Sequence, residues 1–221
     1  MHVAACLLLT VSLVGEPPSF SADVLPILTK AGCNTASCHG SAAGRGGLRL
    51  SLYGGDPAAD YDALVRAHEG RRVNLARPGD SLLLAKPTGW LDHGGGVRLE
   101  DDGPHAQTLV QWIEAGAPRG ESPQVVRLDV SPSQALVDRV PAELQFSVFA
   151  VLADGARRDV GRLAVYTPHD DSAVTVDAAG AARVLRRGSH HLVVRYLNQV
   201  VAATISVPLG DEPVYASAMP R

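Results

Sequence analysis

The sequence predicts two domains, a small all-α domain followed by an all-β sandwich. Before about residue 118, apolar residues recur at helical spacing, as in Leu109 and Ile113. From about residue 125, apolar and polar residues alternate, as around Leu128 and Val130, which is typical of strands with one buried face. The chain has 221 residues, which is enough for two domains of ordinary size.

The amino-acid composition and net charge argue against two classes of binding partner. The hydrophobic fraction is 46% and the formal net charge is −3, with basic residues spread along the chain. A globular protein with sizeable cores is therefore expected, and no nucleic-acid or anionic-membrane surface is indicated.

The N-terminal segment predicts export. Residues 3–14 form an apolar run that is too short to span a bilayer and that resembles the central part of a secretory signal. We assign residues 1–19 to a signal peptide, and Gly15 and Ala22 remain alternative cleavage points. The mature chain is then expected in the periplasm or cell envelope without a transmembrane anchor.

The first domain is expected over residues 20–118. A helix should begin near Ala22 with Ser21 as its N-cap, because an apolar face follows. The glycine-rich stretch 40–47 predicts a turn, and the alternation over 48–52 predicts an extended segment.

Two further helices carry start and stop signals. Asp56 can cap a helix whose first residue is Pro57, and Gly70 should end it. The final helix should begin at Pro104 and end before Gly116. Between them, residues 82–84 predict one short apolar turn.

The second domain is expected over residues 125–208, after a Pro/Gly-rich linker at 119–124. Asp154 and Gly155 predict a hairpin turn, and Asn198 and Gln199 predict a second turn. The remaining residues, 209–221, lack any period and predict a loose tail. The strand-like runs are 126–130, 144–150, 173–176, 182–185, 192–196 and 200–207. Short strands at this spacing favour a sandwich.

One motif carries chemistry. Cys33 and Cys38 are separated by four residues, and His39 follows directly. This pattern predicts covalent haem attachment, in which each thiol adds to a haem vinyl group and the histidine ligates the iron; the usual spacing has two residues between the cysteines. A Cys33–Cys38 disulfide and a Cys/Cys/His metal site remain alternatives. Of the three cysteines, only Cys6 lies outside the motif, in the expected signal peptide.

Several segments around this motif, taken in their order along the chain, resemble the cytochrome c modules of large secreted planctomycete proteins. They are residues 31–34, 37–40, 46–52, 70–73, 86–89, 93–95 and 112–116. Residues 125–207 resemble a group 2 bacterial immunoglobulin-like domain, on segments 153–160 and 174–177 and on Gly180. In that family these modules usually precede further domains, so a stand-alone protein, a fragment and half of a split gene all remain open.

The second axial ligand is expected to be His93. Methionine is common in small electron-transfer cytochromes, but only Met1 and Met219 occur. His93 lies in a glycine-flanked loop where the related modules carry a ligand. His68 and His105 are weaker candidates, and an open sixth position is the remaining alternative.

These observations predict an exported cytochrome c with one covalent haem c, which transfers electrons to and from partner proteins. Arg71 and Arg72 could pair with the haem propionates. No catalytic triad, P-loop or dinucleotide motif occurs, so an electron carrier is expected rather than an enzyme. The sandwich would act as a spacer or as a docking surface for an envelope partner. The competing hypothesis is a non-redox adhesion or binding protein with a Cys33–Cys38 disulfide.

Overall fold

A computed structural model describes residues 17–121 and 124–210. The expected signal peptide, the C-terminal tail beyond residue 210 and Met219 lie largely or wholly outside these described residues.

The N-terminal region begins with a helix that leads into the cysteine motif. A wide π-type turn, Phe20–Val24, continues directly into helix α1, Leu25–Lys30. The Ser19 side chain accepts a hydrogen bond from the Ala22 N–H at 3.1 Å and caps the helix. The predicted cap, Ser21, is wrong, because that residue lies inside the helix and is buried.

The other helices of this region are short. They are α2 (Pro57–Tyr61), α3 (Leu82–Ala85) and α4 (Pro104–Glu114), with a π-type turn at Asp62–Arg66 and 3₁₀ turns at Leu52–Gly54, Ala67–Gly70 and Pro78–Asp80. Asp56 accepts a hydrogen bond from the Ala59 N–H at 3.0 Å, which confirms the predicted cap of α2. Long loops join these elements, so the region has little regular structure.

An aromatic cluster organises the core of the N-terminal region. Phe20 packs edge-on against Tyr61 with ring centroids 5.3 Å apart, and Trp112 lies 5.9 Å from the same ring. The Trp112 indole N–H donates to the Pro118 carbonyl at 2.8 Å, so a fully buried polar group is satisfied. This cluster packs the π-type turn Phe20–Val24 against α2 and α4.

The C-terminal region is a β sandwich of ten strands among the described residues. They are β1 (Val125–Ser131), β2 (Gln134–Leu136), β3 (Ala142–Gln145), β4 (Ser147–Leu152), β5 (Arg157–Asp159), β6 (Val165–Pro168), β7 (Val174–Val176), β8 (Ala181–Val184), β9 (Gly188–Tyr196) and β10 (Gln199–Val207). The sheet orders are β1-β4-β5, β2-β10-β9-β6 and β3-β8-β7. The predicted turn at Asp154 and Gly155 joins β4 to β5. The turn between β9 and β10 consists of Leu197 and Asn198, one residue earlier than predicted, because Gln199 already pairs with Tyr196.

The three sheets share one core of alternating strand residues. Val148 and Ala150 of β4, Val184 of β8 and Ile205 of β10 are all completely buried. The predicted run 144–150 divides into two strands at Phe146, whose side chain is buried in this core while its flanking strands join different sheets.

The two regions contact each other along α1. The Lys30 ammonium group donates to the carbonyls of Ala164 and Ala178, at 2.6 Å each. An Asp23–Arg158 ion pair forms nearer the start of the helix. Leu163 packs against the cores of both regions, so the sandwich supports the helix that leads into the motif.

Candidate functional site

A cavity of about 360 Å³ opens in the N-terminal region. Cys33, Cys38, His39 and His93 all lie on its wall. Leucine side chains supply most of the remaining surface, from Leu28, Leu48, Leu50, Leu64, Leu82 and Leu83. Its size falls in the usual range for small-molecule sites. The structure therefore brings the four candidate residues of the sequence analysis to one apolar cavity.

The motif loop is a compact, hydrogen-bonded turn that begins at the end of α1. The Cys33 N–H donates to the Leu28 carbonyl, and the Cys33 carbonyl accepts from the His39 N–H, at 2.9 Å each. The Thr35 carbonyl accepts from the N–H groups of Cys38 and Gly40 at 3.0 Å. These bonds return the chain on itself, so that both cysteines and the histidine face one cavity.

Glycine is required at position 40 by close packing. A Cβ atom at Gly40 would overlap the Asn34 carbonyl group and approach the Thr35 carbonyl oxygen within 2.8 Å. Asn34 is itself fully buried, and its side-chain carbonyl oxygen has no hydrogen-bond partner within residues 17–121 and 124–210. The residue that follows His39 therefore needs to be small for the loop to close.

The surroundings of His39 fix its tautomer. Its Nδ1 atom lies 3.1 Å from the Arg45 carbonyl and 3.2 Å from the Leu48 carbonyl. Both partners are acceptors, so Nδ1 carries the proton and Nε2 keeps its lone pair. A backbone bond of this kind orients a histidine that ligates a metal.

His93 has the same arrangement on the opposite wall. Its Nδ1 atom lies 2.9 Å from the Gly96 carbonyl, which again leaves the Nε2 lone pair free. The rings of His39 and His93 lie within 8° of parallel, with centroids 6.2 Å apart. Imidazole nitrogens bind metals at about 2 Å, and each ring centre lies roughly 1 Å beyond its nitrogen, so two rings that share one ion have centres about 6 Å apart. The two rings are stacked and each Nε2 lone pair lies in its ring plane, so the match to a shared ion is one of separation.

Both cysteines are free thiols and half-buried. Burial raises the pKa of Cys33 from 9.0 to about 11, and the neighbouring Cys38 adds to the shift. Cys33 is therefore protonated at neutral pH, which disfavours spontaneous disulfide exchange and metal binding.

Positive charge gathers at the cavity. Arg45, Arg71, Arg72 and Lys86 line it, and none of the described lining residues is Asp or Glu. Arg72 is buried and donates to the carbonyls of Ala63 and Gly47, so it holds the backbone together. Sequence reasoning missed Arg45 and Lys86, which reach the cavity from a glycine-rich turn and from the end of α3.

The other histidines lie elsewhere. His68 is exposed in a left-handed turn with φ +53°, and it does not line the cavity. His105 lies at the start of α4 in a separate cleft beside Tyr166, where burial lowers its pKa. Among the candidate histidines, the structure pairs only His93 with His39.

These observations fit a haem. The group is a flat apolar ring with two carboxylates, and this cavity combines leucine side chains, cationic side chains and two imidazoles. His39 and His93 would supply the chain's ligands to its iron. Within residues 17–121 and 124–210, no group of three or more His, Cys, Asp or Glu side chains is placed to hold a metal ion by itself.

Comparison with known proteins gives little further information. No protein-family model and no curated protein matches this sequence. A structure search returns a mutant intimin of EHEC O157:H7, which is 17% identical, with a TM-score of 0.27. The match covers 38% of this chain and 47% of the intimin chain. In the described part of the chain, no helix has the length and apolarity to cross a membrane.

Proposed function

We propose that this protein is an exported c-type cytochrome with one covalent haem, and that it transfers electrons. The observation that carries the proposal is the opposed pair His39 and His93, parallel and 6.2 Å apart, in a leucine-walled cavity that also contains Cys33 and Cys38. On this proposal residues 20–118 form a cytochrome c-like domain, and residues 125–208 form an immunoglobulin-like domain of the bacterial group 2 type.

Each residue has a distinct role in this proposal. Haem, when bound, supplies one-electron transfer. Cys33 and Cys38 would hold it through thioether bonds. His39 and His93 would supply Nε2 lone pairs to its iron, each ring oriented by a backbone carbonyl. The leucines exclude water, and Arg71 with Arg45 can balance the propionates.

Two histidine ligands have a consequence for the potential. Methionine raises the potential of a small cytochrome, and histidine does not. We expect this site to have a lower potential than a His/Met site. The immunoglobulin-like domain would position the haem domain in the periplasm or cell envelope, and this location rests on the signal-like residues 3–14.

Covalent attachment is tested directly by expression with a cytochrome c maturation system. We expect the denatured protein to retain its Soret band and to stain for haem peroxidase activity after electrophoresis. The double variant Cys33→Ala/Cys38→Ala should lose the stain. Colour that acid–acetone removes from the parent would overturn the attachment, and a colourless protein with a Cys33–Cys38 disulfide would favour the binding-protein alternative.

The assignment of His93 has a matched control in His68. His93→Ala should keep the covalent haem, shift the iron toward high spin and let cyanide and carbon monoxide bind readily. His68→Ala should leave the spectrum unchanged, because His68 is exposed and outside the cavity. A His93→Ala spectrum identical to that of the parent would eliminate this ligand.

A further inference from the structure

The loop that carries His93 exposes large apolar side chains. Trp90 is 73% exposed, Val97 is 68% exposed and Leu91 is 46% exposed. Scattered apolar residues are normal on a surface, but three on one short loop form a patch that usually marks an interaction site. Tryptophan is also among the residues that dominate the energy of protein interfaces.

Backbone hydrogen bonds close this loop at its neck. The Pro87 carbonyl accepts from the N–H groups of Arg98, at 2.7 Å, and Leu99, at 3.1 Å. The Leu91 N–H donates to the Ala85 carbonyl at 2.8 Å. The apolar side chains are therefore presented on an anchored loop and need little ordering when a partner binds.

Val97 lies close to the backbone next to Trp90. A Cβ atom at Gly89 would stand 2.9 Å from the Val97 side chain. Because Gly89 has no side chain, the Val97 side chain can pack directly against its backbone. The start of the loop near Gly89 and its end near Val97 therefore form one surface. His93 and Gly95 of the same loop line the cavity, so this surface borders the candidate site.

Cations lie beside the apolar patch. Arg45 and Arg71 are exposed at the cavity, and Lys86 at the base of the loop donates to the Asp92 carbonyl at 2.9 Å. Arg98 at the neck is exposed and donates to the Gly95 carbonyl at 2.7 Å. The cavity has four cationic lining residues and no described acidic one, so two propionates would still leave it positive. The chain as a whole has a formal net charge of −3, and the loop itself carries the exposed Asp92, so the positive charge is confined to the side of the loop that borders the cavity.

We propose that the 87–98 loop and the adjacent cations form the docking surface for a redox protein whose own electron-transfer site is apolar at its centre and acidic at its rim. Charge complementarity steers encounter, and the apolar centre excludes water once the two proteins touch. The partner would cover the His93 side of the site. This inference rests on the proposed electron-transfer function, because it requires a loaded haem.

The test measures electron exchange between the full, haem-loaded protein and a small acidic blue-copper protein by stopped flow. Arg71→Glu should lower the bimolecular rate about tenfold at low salt, and the difference should shrink as salt is raised. Trp90→Ser should lower the rate at low and high salt alike, because its contribution is not electrostatic. Trp90 is exposed and does not line the cavity, so Trp90→Ser should fold and load as the parent does. Arg71 is assigned to the propionates, so the rate of Arg71→Glu is compared per loaded haem and at its own measured potential.

Control variants are available on the sandwich. Leu136→Ser replaces a side chain that is 75% exposed in β2, and Arg183→Glu reverses an exposed charge in β8. Neither should change the rate. A basic copper protein should react slowly with the parent and faster with Arg71→Glu.

The outcomes separate this proposal from the function on which it rests. A preparation without covalent haem would already fail the attachment test, and the electron-transfer function would fail with it. A loaded protein whose rates do not respond to Trp90→Ser and Arg71→Glu would overturn the docking surface alone. Concentration-dependent dimerisation that Trp90→Ser abolishes would assign the patch to a second copy of this chain and would also overturn the proposal.

Discussion

The two regions of this molecule fill their centres differently. In the sandwich, strands from three sheets bring side chains such as Val148, Val184 and Ile205 into one continuous core. In the N-terminal region the helices have 4 to 11 residues, and a cavity with leucine walls lies beside the aromatic cluster. Four of the lining leucines are themselves buried in the N-terminal core, namely Leu28, Leu50, Leu64 and Leu83, so the cavity lies against a packed cluster. On the proposed function, haem would fill this cavity, whereas the sandwich core is completed by its own strands.

Expressing the two regions as separate proteins should have the largest effect on stability. Residues 124–210 alone should remain folded, because their buried core comes from their own strands. Residues 17–121 alone should still take haem but unfold at lower denaturant concentration, since α1 loses the contacts from Lys30, Asp23 and Ala22 to the sandwich. Urea titration of each piece, followed by circular dichroism, measures this. An isolated sandwich that is unfolded would contradict the comparison.

Truncation of Trp112 should affect the N-terminal region more than the sandwich. Trp112→Ala removes a fully buried side chain and should lower the free energy of unfolding by about 3–5 kcal/mol. Hydrogen exchange with mass spectrometry should show lost protection in α1 and α4, with little change in β9 and β10.

A matched substitution in the sandwich provides the control. Phe146→Ala should cost a similar amount and should reduce protection in the strands that flank it, β3 and β4, while α4 stays protected. Equal loss of protection in both regions from either variant would mean that the chain unfolds as one cooperative unit.

The smallest expected effect is the contribution of Lys30 to the pH dependence of the free energy of unfolding. Burial lowers the pKa of Lys30 from 10.5 to about 8, against an opposing contribution from Asp177. Between those two values the unfolded chain binds more protons at this position than the folded chain does, so the free energy of unfolding should rise with pH. Lys30→Met should lack this rise, and urea titrations at several pH values measure the difference.

Comparison with the variant is needed because another group acts in the opposite direction. The pKa of Cys33 is raised from 9.0 to about 11, so the free thiol should make the folded state less stable as pH increases through that range. The parent and Lys30→Met share this contribution, and it cancels in their difference. Parallel pH curves for the two proteins would contradict the role assigned to Lys30.

Helix boundaries were predictable where residues adjacent in the sequence determine them. Proline at the first position and glycine beyond the end predicted α4, which runs over Pro104–Glu114. The sequence analysis predicted Ser21 as the cap of the first helix, whereas Ser19 caps it in the structure. The choice depends on Phe20, which has to face Tyr61 and Trp112 from inside the helix.

The part of the candidate site that consists of residues close together in the sequence could be predicted. The order of Cys33, Cys38 and His39 predicted one shared site, and the glycines beside His93 predicted a flexible ligand loop. Arg45 and Lys86 were missed, because separate segments reach the cavity only through the fold. Strand β2 was missed for a similar reason, since its three residues show no apolar alternation and pair in parallel with distant β10.

A backbone hydrogen bond joins the two ends of the N-terminal region, and it affects how this molecule can be rebuilt. The Phe20 N–H donates to the Arg119 carbonyl at 3.2 Å, and the Cβ position of Gly120 faces Ser19. The first and last residues of the N-terminal region are therefore neighbours, as they are in domains that tolerate insertion into a host loop. The whole cavity of about 360 Å³ could be grafted at one surface turn of another protein, with two short linkers and no rerouting of the host chain.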